Sequence, residues 1–161
     1  MTYSAKVSLF LLRLGIGWVF FYAGWSKVIT FFTDTKNWTA AGFLIGGAKD
    51  PTHIFAPLFE SLAGNTTIDY LNAYGLLFIG IGLLSGGMVR LASLFGIILM
   101  LLYYLPGYPP ENAFIIDDHI IYSLVLIFLA AAGAGRMWGL DKNIEKWPMV
   151  KKNPWLVKIL G

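Results

Sequence analysis

Four apolar segments, each long enough to cross a membrane, constrain this chain more than any other feature. A bilayer core of about 30 Å needs roughly 20 largely apolar residues per helix. We expect transmembrane spans at about residues 7–29, 68–87, 91–108 and 117–134. The last span could begin at either Phe114 or Asp117. With 57% hydrophobic and 13% charged residues in a chain of 161, the sequence predicts a single transmembrane domain over residues 1–161 rather than a soluble fold.

The positions of lysine and arginine predict which side of the membrane each end faces. With the N-terminus inside, the cytoplasmic side holds Lys6, Arg90, Arg136, Lys142, Lys146, Lys151, Lys152 and Lys158. The other side holds a more acidic set, namely Lys27, Lys36, Lys49, Asp34, Asp50, Glu60, Asp69, Glu111, Asp117 and Asp118. We therefore expect a multi-pass protein of the cell (plasma) membrane with cytoplasmic N- and C-termini. The first span lacks a cleavage site and is expected to stay in the mature protein.

Two regions outside the spans are expected to lie at the membrane surface. Residues 30–67 are too broken by glycine and proline to span, yet they are rich in apolar side chains. They predict short interfacial or re-entrant helices that could roof a binding site, although a loop resting in the headgroups explains the same pattern. Residues 135–161 predict an amphipathic tail on an anionic leaflet, because Trp138, Trp147 and Trp155 alternate with lysines.

Several classes of chemistry are disfavoured by composition. The chain has no cysteine, so it cannot form a disulfide, a thiolate nucleophile or a Cys-ligated cluster. His53 stands alone in the 30–67 loop, so we predict that it is a surface residue and that the chain has no metal site. The basic residues form no aromatic-interleaved groove, which argues against binding to nucleic acid. Any redox chemistry must use a bound cofactor or a partner chain.

One stripe of the first span carries two cations. Arg13, Gly17, Phe20, Gly24 and Lys27 follow one another at spacings of three or four residues and share one helix face. A charge inside a membrane costs about 2.5–3.5 kcal/mol on insertion scales, so each cation needs a partner or a purpose. At 1.5 Å per residue the two are about 21 Å apart and cannot share a site. The alternative is that both side chains snorkel to the headgroups.

A polar layer is expected at the outer level of Lys27, where the fourth span begins. Asp118, His119 and Tyr122 can share a face there. A histidine beside a carboxylate suits proton transfer to a quinone, so His119 and Asp118 are candidate catalytic residues. Lys27, which lies at the same level, is the third candidate catalytic residue. Helix capping by Asp117 or Asp118 is the alternative. The candidate quinone-binding residues are Arg13, Trp25, Asn72, Tyr104 and Tyr122. Tyr103 and Tyr104, at the outer end of the third span, could form an interfacial aromatic belt or the wall of an aromatic ligand pocket.

The chain resembles the DoxX and DoxD family of small membrane proteins, which includes the membrane subunit of thiosulfate:quinone oxidoreductase. The likeness rests on the stripe from Arg13 to Lys27 and on three further motifs, Ala41-Gly42-Phe43-Leu44, Asp118-His119-Ile120-Ile121-Tyr122 and Gly133-Ala134-Gly135-Arg136. This resemblance implies an all-α integral membrane four-helix bundle that acts beside a quinone pool. In the best-known case, electrons pass from thiosulfate to quinone.

Two functions of different classes are compatible with these features. The first is a membrane component of a quinone-linked oxidoreductase, which uses thiosulfate or a similar donor, quinone as acceptor, and in some arrangements a second redox subunit. The second is a non-catalytic anchor or assembly partner for a peripheral redox enzyme. A transporter ranks third, because no inverted repeat is evident. Gly82 and Gly86 permit tight helix contact, which leaves a homo-oligomer open.

Overall fold

The computed structural model is helical and describes residues 1–33, 36–48, 54–110 and 114–161. The helices are α1 (Tyr3–Val28), α2 (Ala41–Ala48), α3 (Ala56–Leu62), α4 (Thr66–Ser85), α5 (Val89–Tyr104), α6 (Asp118–Ala131), α7 (Asp141–Ile144) and α8 (Pro148–Lys152). Short 3-10 turns follow α1 and α5. The prediction of an all-α helical bundle is confirmed.

Three helical segments among the described residues are long and apolar enough to cross a membrane, namely Tyr3–Phe32, Thr66–Ser85 and Val89–Gly107. By contrast, α6 has only 14 residues, or about 21 Å, which is less than a typical hydrocarbon core. The fourth span expected at 117–134 is therefore longer than the helix found. The helix stops early because Gly133 adopts a left-handed conformation with φ of 65°, which glycine takes without strain.

The four long helices pack as two close pairs, α1 with α4 and α5 with α6, and α4 joins α5 through a tight turn. Close approach of the first pair depends on glycine. A methyl group at Gly24 would collide with the backbone of Leu77, and one at Gly80 with the backbone of Phe21. The outward faces carry large exposed apolar side chains, among them Leu11, Trp18, Phe78, Leu94, Phe95 and Leu124. These faces contact the lipid bilayer.

One end of the bundle, which we call the cap end, is covered by α2 and α3. Leu44 of α2 and Phe59 of α3 form an apolar cluster that also contacts Leu105 after α5. The carboxylate of Asp69 on α4 accepts a hydrogen bond of 2.7 Å from the backbone N–H of Ala40, which fixes the start of α2. The predicted short helices between the first two spans are thus confirmed. Asp34, Lys49, Asp50, His53 and Glu111 lie outside the described residues.

The opposite end, which we call the tail end, is where α1 begins, α4 turns into α5 and residues 134–161 fold back. Asp141 is fully buried there. Its carboxylate accepts hydrogen bonds from the backbone N–H groups of Met88 at 2.6 Å, Val89 at 3.1 Å and Gly161 at 2.7 Å. Two of these donors lie at the start of α5, where a helix leaves N–H groups unpaired. The tail is therefore attached to the bundle by a buried carboxylate, whereas the sequence predicted only an amphipathic segment resting on the membrane surface.

Arg13 also belongs to the tail end and is only 1% exposed. Its Nη1 donates hydrogen bonds to the carbonyl oxygens of Ala134 at 2.5 Å and Met137 at 3.0 Å. Its guanidinium carbon lies 5.3 Å from the ring centre of Phe10. Arg13 therefore finds its partners inside the protein, and the snorkelling alternative does not apply to it.

Candidate functional site

A pocket of about 180 Å³ lies towards the cap end, in the gap between α1 and α6. Its polar lining comes from Lys27 on α1, Tyr103 on α5, and His119 and Tyr122 on α6. Its remaining lining is apolar and consists of Val19, Phe20, Ala23, Leu76 and Met100. The four longest helices all contribute, so the pocket exists only in the folded bundle.

The pocket opens sideways rather than into the core. Val19 lines it and is 43% exposed, beside the exposed Trp18 on the outward face of α1. Val19 lies about 12 Å from Lys27 along the helix axis, which places the opening towards the middle of α1. A cavity of about 150 Å³ accommodates a benzene molecule. The pocket thus has room for one six-membered ring.

Lys27 stands at the cap-end wall of the pocket and is half-buried. Its Nζ donates a hydrogen bond of 3.0 Å to the carbonyl oxygen of Ala23 and lies 5.1 Å from the ring centre of Trp38. A Lys ammonium has three donors, so the bond to Ala23 leaves two for a ligand or water. Trp38 precedes α2, so the cap contributes to the surroundings of this cation.

His119 faces Lys27 across the pocket and is held by Asp117, the N-cap of α6. Its Nδ1 lies 2.6 Å from Asp117 Oδ2, while Oδ1 of the same carboxylate accepts the backbone N–H of Ile120 at 3.1 Å. Burial acts to raise the pKa of the Asp117 carboxyl, but the hydrogen bonds from His119 and Ile120 outweigh it and hold that pKa below its usual value. The His119 side chain is 31% exposed, so the imidazole is also accessible from outside the bundle.

Tyr103 forms the wall behind His119, which is one of the two positions that the sequence analysis left open for the tyrosines of the third span. The two rings meet edge to face at 5.9 Å. The Tyr103 hydroxyl donates a hydrogen bond of 2.8 Å to Oδ1 of Asn72, so this predicted residue supports the pocket from α4 without lining it. Phe43 of α2 packs against the other side of Tyr103 at 5.7 Å. The cap therefore touches the pocket wall.

Four other predicted site residues lie away from this pocket. Asp118 is exposed at the start of α6. Trp25 is exposed on α1, where it stacks on Phe21. The Tyr104 hydroxyl donates to the carbonyl oxygen of Ile115 at 2.8 Å. Arg13 lies at the tail end. In contrast, Lys27, His119 and Tyr122 come together as the sequence analysis expected.

The arrangement can bind a ring that carries oxygen atoms and can exchange protons with it. An ammonium, an imidazole and phenol groups are hydrogen-bonding partners for carbonyl or hydroxyl oxygens, and the apolar lining contacts the ring faces. Among the described residues, no group of three or more His, Asp or Glu side chains is placed to hold a metal ion. The pocket offers hydrogen bonds and proton exchange.

The model of the family described as DoxX matches residues 8–106, which is more than half of the chain. The chain belongs to the DoxX family. DoxX proteins are membrane proteins associated with redox and quinone-linked proteins. Comparisons with curated proteins and with solved structures found no match.

The matched part of this DoxX protein contains all the residues that line the pocket except His119 and Tyr122. Lys27, Asn72 and Tyr103 lie within residues 8–106, whereas Asp117, His119 and Tyr122 follow them. Membership in the family therefore supports the membrane fold and the α1 stripe, while the α6 side of the pocket rests on the geometry described above.

Proposed function

We propose that this DoxX protein is the membrane component of a quinone-linked oxidoreductase and binds the quinone head group between α1 and α6. One observation carries the proposal. Lys27 and His119, which are separated by 92 residues in the sequence, line one pocket that opens towards lipid. Quinones are dissolved in the bilayer, so a ring-sized pocket with a lateral opening and polar groups at one end suits them. The isoprenoid tail stays among the lipid chains.

Reduction of a quinone to a quinol consumes two electrons and two protons at its two oxygens. Lys27 hydrogen-bonds to one oxygen, stabilises the negative charge that develops there, donates one proton to it and regains a proton from water. His119 supplies a proton to the other and is recharged from water, while Asp117 positions the imidazole through Nδ1. The phenol of Tyr122 completes the polar lining. Asp117 thus takes the role that the sequence suggested for Asp118.

The two electrons come from outside this chain. A small anionic donor such as thiosulfate supplies them when two thiosulfate ions join through a new S–S bond to give tetrathionate, and the Lys27 charge favours approach of the anion. A second redox subunit that docks on the bundle is the other source. Both arrangements deliver the same two electrons to the same quinone.

The charge distribution of the folded chain supports an orientation. Lys6, Arg136 and Lys142 come together at the tail end, and further lysines lie exposed on the tail at Lys146, Lys151, Lys152 and Lys158. The positive-inside rule therefore places the tail end, with both termini, in the cytoplasm of a cell-membrane protein. The pocket then lies towards the outer leaflet.

A non-catalytic anchor is the second candidate. The tail is firmly attached through Asp141 yet displays exposed lysines and Trp147 and Trp155, as a docking surface for a peripheral enzyme would. If the purified protein binds no quinone but retains a soluble oxidoreductase, and loses it when Lys151 and Lys152 are replaced by Gln, the anchor function is correct.

Quinone binding tests the first proposal directly. A short-tailed benzoquinone is titrated into purified protein in lipid nanodiscs. His119→Ala and Lys27→Gln should each weaken binding at least tenfold, because hydrogen bonds to charged groups contribute about 1.5–3 kcal/mol. Asp118→Asn and Tyr104→Phe are matched controls outside the pocket and should change affinity less than twofold. Wild-type affinity in both pocket variants would reject the proposal.

A further inference from the structure

A second and larger cavity, of about 610 Å³, lies at the tail end. The start of α1 contributes Tyr3 and Lys6, the end of α4 contributes Ser85, and the tail contributes Arg136, Trp138 and Lys142. The cavity is far from the quinone pocket, because its walls are the opposite ends of the same helices. Nothing in the proposed redox function uses it.

The charged lining of this cavity is basic. Lys6, Arg136 and Lys142 supply three cations. The nearby acidic groups are already engaged, because Arg136 Nε donates to Glu145 at 2.6 Å and the buried carboxylate of Asp141 accepts three backbone N–H groups. Neither Lys6 nor Lys142 forms an ion pair with any residue in the described ranges. Two ammonium groups therefore remain for an anionic ligand.

The rest of the lining is suited to a lipid rather than to a free ion. Tyr3 and Trp138 meet edge to face at 6.3 Å and are both exposed, as aromatic side chains at a membrane–water boundary are. Met137 and the exposed Leu140 add apolar surface, while Ser85 adds a hydroxyl. A volume of about 610 Å³ exceeds what a bare phosphate needs and falls in the range of small-molecule sites.

The cavity is preformed, because the segment that builds it is fixed at two buried points. Arg13 holds the carbonyl oxygens of Ala134 and Met137, and Asp141 holds the start of α5. These bonds keep Arg136 and Lys142 opposite Lys6 at the helix ends. A ligand therefore does not have to order the tail in order to bind.

We propose that the tail-end cavity binds the phosphodiester head group of an anionic phospholipid from the adjacent leaflet. Lys6 and Lys142 contact the phosphate, and Tyr3 and Trp138 lie along the glycerol and upper acyl chains, while Arg136 stays paired with Glu145. Basic pockets beside transmembrane helices recognise anionic headgroups in this way.

The test is a titration of the purified full chain in detergent with three probes: short-chain phosphatidylglycerol, short-chain phosphatidylcholine and inorganic phosphate. Wild-type protein should bind phosphatidylglycerol at least tenfold more tightly than either other probe. The double variant Lys6→Gln, Lys142→Gln should weaken that binding roughly 25-fold, at about fivefold per lysine. The matched control, Lys151→Gln with Lys152→Gln, removes two exposed tail lysines outside the cavity and should change affinity less than twofold.

Three results would overturn the proposal. Equal binding of the two lipids would show that the phosphate charge is not recognised. Equal binding of phosphate and phosphatidylglycerol would identify a site for a free anion. If the two double variants lost the same amount of affinity for phosphatidylglycerol, the lipid would be attracted to the tail surface as a whole rather than to the cavity. All four lysines are exposed, so the variants are expected to fold, which thermal unfolding verifies.

Discussion

His119 contacts the carboxylate of Asp117, two residues before it, with Nδ1 2.6 Å from Oδ2. The same carboxylate caps α6 through the backbone N–H of Ile120. One aspartate therefore begins the helix and orients the imidazole. Because the contact uses Nδ1, the ring nitrogen left for a ligand in the pocket is Nε2.

The first prediction separates these two roles of Asp117. Asn caps helices about as well as Asp, so Asp117→Asn should keep α6 intact while it removes the negative charge beside His119. We expect severalfold weaker binding of a short-tailed benzoquinone and an altered dependence of that binding on pH between about 5 and 8. Titrations at a series of pH values measure both, with Asp118→Asn as the control. If the affinity of Asp117→Asn for the quinone equalled that of wild type at every pH, Asp117 would serve only as the cap of α6.

The second prediction concerns acid stability. The pKa of Asp117 is held below its usual value, so its charged form is favoured in the folded protein. The stabilisation is complete above the usual aspartate pKa and is lost as the pH falls through the lowered pKa. Between about pH 5 and 2, the melting temperature of Asp117→Asn should therefore fall less than that of wild type. If the melting temperatures of the two proteins fell equally over this pH range, the prediction would be wrong.

The third prediction concerns the wall behind His119. Tyr103→Phe removes the hydrogen bond to Asn72 and leaves Asn72 Oδ1 without that donor. We expect a loss of about 1 kcal/mol in the free energy of unfolding and several times weaker quinone binding, because the ring against His119 is less firmly held. Tyr104→Phe removes an equivalent bond, to Ile115, outside the pocket and should leave quinone binding unchanged. Equal effects of the two variants on binding would show that Tyr103 has no special part in the pocket.

The fourth prediction concerns the attachment of the tail. Asp141→Ala leaves two buried N–H groups and the partly buried N–H group of Met88 without their acceptor, and each buried unsatisfied group costs about 1–3 kcal/mol. We expect a loss of at least about 3 kcal/mol in the free energy of unfolding and rapid proteolysis after α6. Asp141→Asn keeps one acceptor oxygen, so its free energy of unfolding should lie between that of wild type and that of Asp141→Ala. A tail that stays as protease-resistant as wild type would contradict the anchoring role.

The sequence predicted the depth of polar groups better than their direction around the helices. Lys27, His119 and Tyr122 were expected at one level because apolar length and helix rise determine depth, and they do line one pocket. Tyr103 and Tyr104 are adjacent and chemically identical, so only the packed rotation of α5 shows that Tyr103 faces the pocket. Asp117 and Asp118 present the same difficulty. If the helix began one residue later, the two aspartates would exchange their roles, so the sequence alone does not show which of them caps α6.

Long-range contacts to the backbone could not be predicted. Arg13 was recognised as a costly buried charge, but its partners are carbonyl oxygens more than 120 residues away, and a carbonyl carries no sequence signal. The burial of Asp141 has no sequence signal either, because its partners are also backbone groups. The buried charge itself was the available clue, since such a charge requires a partner.

Photolabelling tests the central claim most directly, namely that a quinone head group lies between α1 and α6. The protein in lipid nanodiscs is irradiated with a short-tailed azidoquinone, and the labelled peptides are mapped by mass spectrometry. We expect label on residues 19–27 and 119–122, abolished by excess unlabelled quinone and reduced in His119→Ala. Label confined to the tail end, or label on α1 and α6 that excess quinone does not displace, would contradict the account.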